Sequence, residues 1–303
     1  MLGPQNTELI ALKKEAILST LELKSSSSIF FKYHDIPIEF SSPDKALLHS
    51  IQQTLPASWF LKASEVQNVY KVSHYPLETL GLQEEVFEDE ADSECYIEHL
   101  DKRELAYHRD FVALKDNGHV KAIFTSRVDD GFYNFIRWLL SRDLLVAQKV
   151  VLHSSVILGR DQKAYVFLGP SGAGKTTTCH NAQERLVLGD DMNILKLDNN
   201  KVLAQAGAIG GKFSPQVPIE QSYEVAGLYW LSQSQKLELT PLNASKAAQV
   251  LLVSLANMFW PSAREQDKRL AMDFVTQVIA RTNCYELKLQ NNDAFWKLIE
   301  PKK

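Results

Sequence analysis

The segment Gly169-Pro170-Ser171-Gly172-Ala173-Gly174-Lys175-Thr176 constrains this chain more than any other. It satisfies the pattern G-x-x-x-x-G-K-[ST] at every fixed position. An eight-residue pattern can arise by chance, so its surroundings decide its meaning. The residues before it, AYVFL at 164–168, read as a strand, and the pattern of 175–184 predicts a helix. Strand, glycine-rich loop and helix in that order form a cradle for phosphate. Gly169, Gly172 and Gly174 permit backbone shapes closed to other residues and let N–H groups approach an anion. Lys175 places a point charge on the β- and γ-phosphates, and the Thr176 hydroxyl suits Mg²⁺. The start of the helix turns its positive end toward the same anion. The expected nucleotide site is therefore Gly169, Pro170, Ser171, Gly172, Ala173, Gly174, Lys175, Thr176 and Thr177, with ATP and Mg²⁺ as the bound species. The pattern reads phosphates and not bases, so adenine and guanine remain open.

Two further elements bear on chemistry. Asp190 and Asp191 end the apolar run RLVLGDD, only fifteen residues after Lys175. One short helix and a returning strand would bring both carboxylates back to the phosphates. Successive residues on a strand point to opposite faces. One acid would then meet Mg²⁺ and the other a substrate hydroxyl, or else a turn after Gly189 lets both converge. His153 lies in VVLHSSVIL, a mostly apolar run just upstream of the loop. If that strand packs beside the loop, its imidazole would bond a phosphate or orient an aspartate. Cys179 falls near the first turn of the helix and is expected to be a buried structural thiol.

The chain of 303 residues is long enough for two domains. We expect a mixed α+β N-terminal domain over 1–147 and an α/β catalytic domain over 148–303. In the first, helices are predicted over 7–23, capped by Asn6 or Thr7, and over 43–55. Strands are predicted around a turn at His34–Asp35, where Pro37 argues for a sheet edge, and then over 66–74, 96–100, 104–114 and 120–125. Residues 84–94 carry seven acids and no base, an expected solvated loop. A single helix is predicted over 131–149. In the second domain, 192–207 reads as a hairpin turning at Asn199–Asn200, and 207–223 as an irregular loop. Strands follow near 227–231 and 236–242, helices over 244–259 and 264–282, and a last strand over 284–289. His34, His49 and His74 are scattered without ligand spacing. Arg264, Arg269 and Arg281 are expected on solvated helix faces.

The net charge of −4 and the lack of a basic run argue against nucleic acid or an anionic membrane as partner. Glu8, Lys13, Lys14 and Glu15 interrupt the N-terminal apolar residues, and no stretch approaches the ~18 apolar residues that span a bilayer. Cys95, Cys179 and Cys284 have neither disulfide-framework nor zinc spacing. A reduced, cytoplasmic protein is expected.

The order LHSSVIL, GPSGAGKT, short helix, LGDD resembles the C-terminal domain of HPr kinase/phosphorylase. It is more similar still to the HPr-kinase-related proteins often found beside peptide-modification genes. That family shares its core with ATP-dependent phosphoenolpyruvate carboxykinase, and the resemblance covers roughly residues 148–290. It implies a P-loop catalytic domain that phosphorylates a hydroxyl, typically of serine, on a peptide, protein or small molecule. Carried over, Lys175 and Thr176 serve nucleotide and metal, Asp190 and Asp191 serve metal and general base, and His153 is an accessory. Which aspartate is the base stays open. Ring-forming relatives imply self-association into a homo-oligomer. The chain departs from the bifunctional enzymes at Ser154, where they have glycine, and at AGAIGGKFSP (206–215), where they have an arginine-glycine run with a metal-binding glutamate. The alternatives are a hydrolytic P-loop NTPase and a non-catalytic nucleotide-binding protein.

Overall fold

The computed structural model describes residues 4–19, 26–65, 69–81, 95–124, 128–207 and 209–300. The acidic run at 84–94, the side chains of Asn6 and Thr7 and the start of the strand predicted from residue 66 lie outside the described residues. The chain divides into two compact units, Met1–Leu140 with Phe259–Ala263 and Ser141–Met258 with Arg264–Lys303. Both are mixed α+β, and each has its own mixed sheet.

Unit 1 runs α1 (Pro4–Leu18), β1 (Ser27–Tyr33), β2 (Ile36–Ser42), α2 (Lys45–Thr54), β3 (Tyr70–Pro76), β4 (Tyr96–Leu100), β5 (Arg103–Tyr107), β6 (Phe111–Asp116), β7 (His119–Phe124) and α3 (Tyr133–Leu139). Its seven strands are ordered β1-β2-β3-β7-β6-β5-β4. β3 is parallel to β2 and to β7; the other pairs are antiparallel. The β1–β2 turn is the predicted His34–Asp35, with both residues at positive φ (45° and 77°), the geometry of a two-residue hairpin turn. Asp44 caps α2, its Oδ1 accepting from the N–H groups of Ala46 and Leu47. The core is aromatic: Phe31, Phe40, Phe111, Phe124, Phe132, Phe135 and Trp138 are completely buried.

Several expectations need correction here. Pro37 does not mark an edge, because β2 lies between β1 and β3. Its missing N–H is harmless, since pairing with β3 begins only at Ile38. The helix starts at Pro4, upstream of the expected caps, consistent with the tolerance of proline in a first turn. The strand predicted over 104–114 is two strands, parted by a turn in which the Asp110 N–H donates to His108 Nδ1. The helix predicted over 131–149 breaks at Leu140, whose φ of −100° and ψ of 2° leave the helical region.

Unit 2 runs α4 (Ser141–Val146), β8 (Lys149–Leu158), β9 (Ala164–Leu168), α5 (Lys175–His180), β10 (Leu186–Gly189), β11 (Met192–Asp198), β12 (Lys201–Ala206), β13 (Tyr223–Gln233), β14 (Glu238–Pro241), α6 (Ala244–Val253), α7 (Glu265–Ile279), β15 (Cys284–Leu289) and α8 (Trp296–Ile299). β8 organises the sheet. Its first half pairs with β11, and its second half pairs with β9 on one side and β10 on the other. Nearly the whole strand is buried, as its β-branched sequence requires; His153 is its half-buried exception. β9 and β15 flank β13 in parallel, so Leu168, Gln233 and Leu289 end their strands at one edge of the sheet. The predicted Asn199–Asn200 hairpin forms, with Asp198 opposite Lys201. The helix predicted over 244–259 stops at Val253, where Ser254 Oγ donates to the Val250 carbonyl and Leu255 bridges to Leu152 of β8.

Candidate functional site

The Gly169–Thr176 loop leaves the buried strand β9 and enters α5. Gly172 and Gly174 have φ of 76° and 109°, where a side chain would be strained. Gly169 is needed for space, because a Cβ there would come within 2.7 Å of the Ala173 Cβ. Pro170, Ser171 and Gly172 are exposed, Ala173 is buried, and Gly174, Thr176 and Thr177 are half-buried. Lys175 is 7% exposed; its Nζ donates to the carbonyls of Gly169 at 2.8 Å and Pro170 at 3.1 Å. Burial lowers the Lys175 pKa, against the opposing pull of the Asp191 carboxylate.

α5 is shorter than the predicted 175–184. It closes at His180 because Asn181 bonds back to the Thr177 carbonyl through both its backbone N–H and its side-chain Nδ2, and Gln183 follows at φ 56°. The helix is fixed from two directions. Thr178 Oγ1 donates to the Lys175 carbonyl and contacts Ser155 Oγ of β8 at 2.8 Å, while Trp296 Nε1 of α8 donates to the Asn181 carbonyl. Cys179 is buried beside it, its thiol pushed up to about 12 by burial, with the Asp190 charge acting in the same direction. It is a structural thiol.

Asp190 and Asp191 occupy a bend between β10 and β11, not the end of a regular strand. The bend keeps the chain registered beside β8, and the Ser154 N–H donates to the Asp191 carbonyl at 2.7 Å. The two carboxylates have different surroundings. Asp190 is 3% exposed, and its Oδ1 accepts from the N–H groups of Lys212 and Phe213 at 2.8 and 3.0 Å. Asp191 is partly exposed and lies 3.2 Å from His153 Nε2. The structure thus brings Asp191 and His153 together, with Asp190 next to them in the same bend. Ser154 is completely buried, and Asn193 Nδ2 donates to its carbonyl.

The loop at 209–213 was not among the residues that the sequence suggested for the site. Gly210 and Gly211 have φ of 82° and 80°, and a Cβ at Gly211 would fall 2.1 Å from Asp190 Oδ1. The glycine pair lets this backbone lie against the acids. Its signal in the sequence was Gly-Gly ahead of Lys212-Phe213, inside a stretch read only as irregular. Phe213 in turn meets His180 edge-on. Gln233, at the end of β13, is a second addition: its Nε2 donates to the Gly172 carbonyl at 2.7 Å.

Other singled-out residues fall elsewhere. His34 and His74 are buried in unit 1. Arg269 and Arg281 are exposed, and Arg281 donates to its own helix at the Gln277 carbonyl. Cys95 and Cys284 are buried. Among the described residues no group of three or more His, Cys, Asp or Glu side chains forms a metal centre, and no helix is long and apolar enough to cross a membrane.

Comparison with known proteins adds the following. The model of the family described as "SynChlorMet cassette protein ScmC" matches residues 138–302, over half of the chain. No curated protein matches. Among solved structures, the HPr(Ser) kinase/phosphatase from Coxiella burnetii aligns over 49% of this chain and 92% of its own, at 13% identity and a TM-score of 0.29, a distant structural relationship.

Proposed function

The chain belongs to the ScmC family, and we propose that it is a phosphotransferase that uses Mg²⁺-ATP to phosphorylate a serine-like hydroxyl. One observation carries this reading: the partly exposed Asp191, paired with His153 at 3.2 Å, returns on the strand pair beside β8 one short helix after the glycine loop that carries Lys175. A loop that presents backbone N–H groups and an ammonium suits polyphosphate. A carboxylate held by an imidazole beside it suits proton removal from an attacking hydroxyl. The order of motifs, which resembles that of HPr kinases, agrees.

The residues present fit the proposed ligands. The loop's positive-φ glycines, Gly172 and Gly174, hold a backbone shape that side chains rarely adopt and that suits N–H groups turned to an anion. A Mg²⁺ ion on a nucleotide takes only one or two protein ligands and keeps the rest as phosphate oxygens and water. Thr176 would hold it together with phosphate oxygens and water, and no all-protein cage is needed. When bound, the ion neutralises phosphate charge and the nucleotide supplies the phosphoryl group.

The chain's own residues then have separate tasks. Lys175 stabilises negative charge that moves onto the phosphate oxygens, and its partial burial strengthens that effect. Asp191 accepts the hydroxyl proton at a carboxylate oxygen, while His153 Nε2 orients the carboxylate. Asp190 anchors the loop at 209–213 and so keeps the bend in shape. Such phosphoryl transfer relies on positioning and electrostatics, with a general base contributing about 10²–10⁴ in rate.

The test is transfer of a labelled γ-phosphate from ATP to serine-containing peptides, proteins and free hydroxyl compounds. The expected result is transfer by the wild type and a large loss in Lys175→Ala and Asp191→Asn. Turnover that releases only free phosphate, whatever acceptor is present, would contradict the kinase reading and identify a hydrolase.

A further inference from the structure

Asn193, the second residue of β11, is a polar side chain at an apolar place. It is 1% exposed, and the residues opposite it, Leu152 of β8 and Ala206 of β12, are buried and apolar. Its Oδ1 is buried with no hydrogen-bond partner among the described residues. An unpaired buried acceptor costs stability. A valine there would continue the strand without that cost. What the amide adds is Nδ2, which carries two N–H donors. It lies 2.8 Å from the Ser154 carbonyl, 3.2 Å from the Gly189 carbonyl and 3.4 Å from Ser154 Oγ.

Those partners flank the reacting pair. Ser154 follows His153, and Gly189 precedes Asp190. β10 and β11 meet β8 in one continuous register, with Gly189 opposite Val156 and Met192 opposite His153. Between them, strand geometry lapses at Asp190 and Asp191, where the Ser154 N–H still donates to the Asp191 carbonyl at 2.7 Å. The Asn193 side chain folds back over that gap. One amide thus joins the residue before the acids to the residue after the histidine. Gly189 makes room for it, since a Cβ there would fall 2.7 Å from Asn193 Oδ1.

We infer that Asn193 is a positioning residue: it holds the acid bend against β8 so that His153 Nε2 and Asp191 Oδ1 stay paired at 3.2 Å. Through that pair it aims the carboxylate that accepts the hydroxyl proton. Its role in turnover rests on the kinase reading above; its hold on the pair rests on the hydrogen bonds alone. Asn193 is buried and acts only through its neighbours. Its loss should therefore lower the rate of the bound complex and leave nucleotide binding unchanged.

The experiment compares Asn193→Val with wild type, with Asn193→Ala as a second variant should the valine fail to fold. Crystal structures give the distance from His153 Nε2 to Asp191 Oδ1. It should stay within about 3.5 Å in wild type and exceed that in the variant. Steady-state kinetics per folded molecule should show kcat lowered about tenfold or more, with KM for Mg²⁺-ATP within about twofold of wild type. The same substitution in an Asp191→Asn background should cost less than about twofold more, because no carboxylate is left to aim. A side chain that only supports the fold would leave the pair in place, or cost the same factor in both backgrounds; either result overturns the inference. Full turnover in Asp191→Asn overturns the kinase reading instead, and the crystallographic distance then still decides whether Asn193 holds the pair.

Discussion

His74 in unit 1 and His153 in unit 2 both lie on interior strands, and their surroundings differ sharply. His74 is completely buried between Phe40 and Phe124. Its Nε2–H donates to the Phe124 carbonyl, so its Nδ1 accepts from the Ser42 hydroxyl. Burial lowers its pKa to about 4, against smaller opposing effects of that carbonyl and of Asp44. It is a neutral packing residue with both nitrogens used. His153 is half-buried on an otherwise buried strand, with a carboxylate 3.2 Å from Nε2. Residue type alone does not separate the two; partial exposure beside a carboxylate is what makes His153 the candidate.

The same contrast separates the neighbours Asp190 and Asp191. One is buried and bound by two backbone N–H groups, the other partly exposed and paired with the imidazole. Substitutions should therefore fall into two classes, those that cost turnover and those that cost stability. Lys175→Ala should show the largest effect, a loss of about 10³-fold or more in ATP turnover, with the unfolding midpoint unchanged or raised because a desolvated ammonium is removed. Steady-state kinetics beside thermal melts would check both halves.

Next in size is the acid response of unit 1. Because the folded-state pKa of His74 is lower than its unfolded value of 6.5, the unfolded chain takes up the proton first. Stability is thus full above about pH 6.5 and falls as pH drops toward 4, by about 3 kcal/mol at most. Hydrogen exchange of β3 and β7 amides should rise over that window, and the rise should vanish in His74→Leu even if that variant is less stable at pH 7. A smaller effect is expected from Gly211→Ala. It forces a left-handed φ on a side chain and a clash with Asp190 Oδ1, costing about 1–3 kcal/mol in denaturant unfolding. Smallest is Cys179→Ser: with its thiol buried and raised to about 12, turnover should change less than about threefold and thiol reagents should label it slowly in the native protein.

Much of unit 2 was legible because its signals are local. AYVFL, GPSGAGKT, the Asn199–Asn200 turn and CYELKL each specify their own backbone. Long-range partners were not legible. Pro37 signalled an edge, yet no local pattern reveals that the β3 pairing starts one residue later. The residues 131–149 carry a continuous helical period, which gives no sign of the break at Leu140. Asp190 and Asp191 were visible as a pair; their different surroundings were not, because those depend on two N–H groups over twenty residues away. The Gly210–Gly211 loop was seen only as irregular, since glycine indicates a permitted conformation and not what lies against it.

The central claim is that the bend at Asp190–Asp191 separates a reacting carboxylate from a structural one. The most direct measurement compares Asp191→Asn with Asp190→Asn in Mg²⁺-ATP turnover per folded molecule and in unfolding free energy. The account predicts that Asp191→Asn loses about 10²-fold or more in turnover with stability within about 0.5 kcal/mol of wild type. It predicts that Asp190→Asn loses about 1–3 kcal/mol of stability with turnover reduced less than about tenfold. The reverse pattern, or an unchanged turnover in Asp191→Asn, would contradict it.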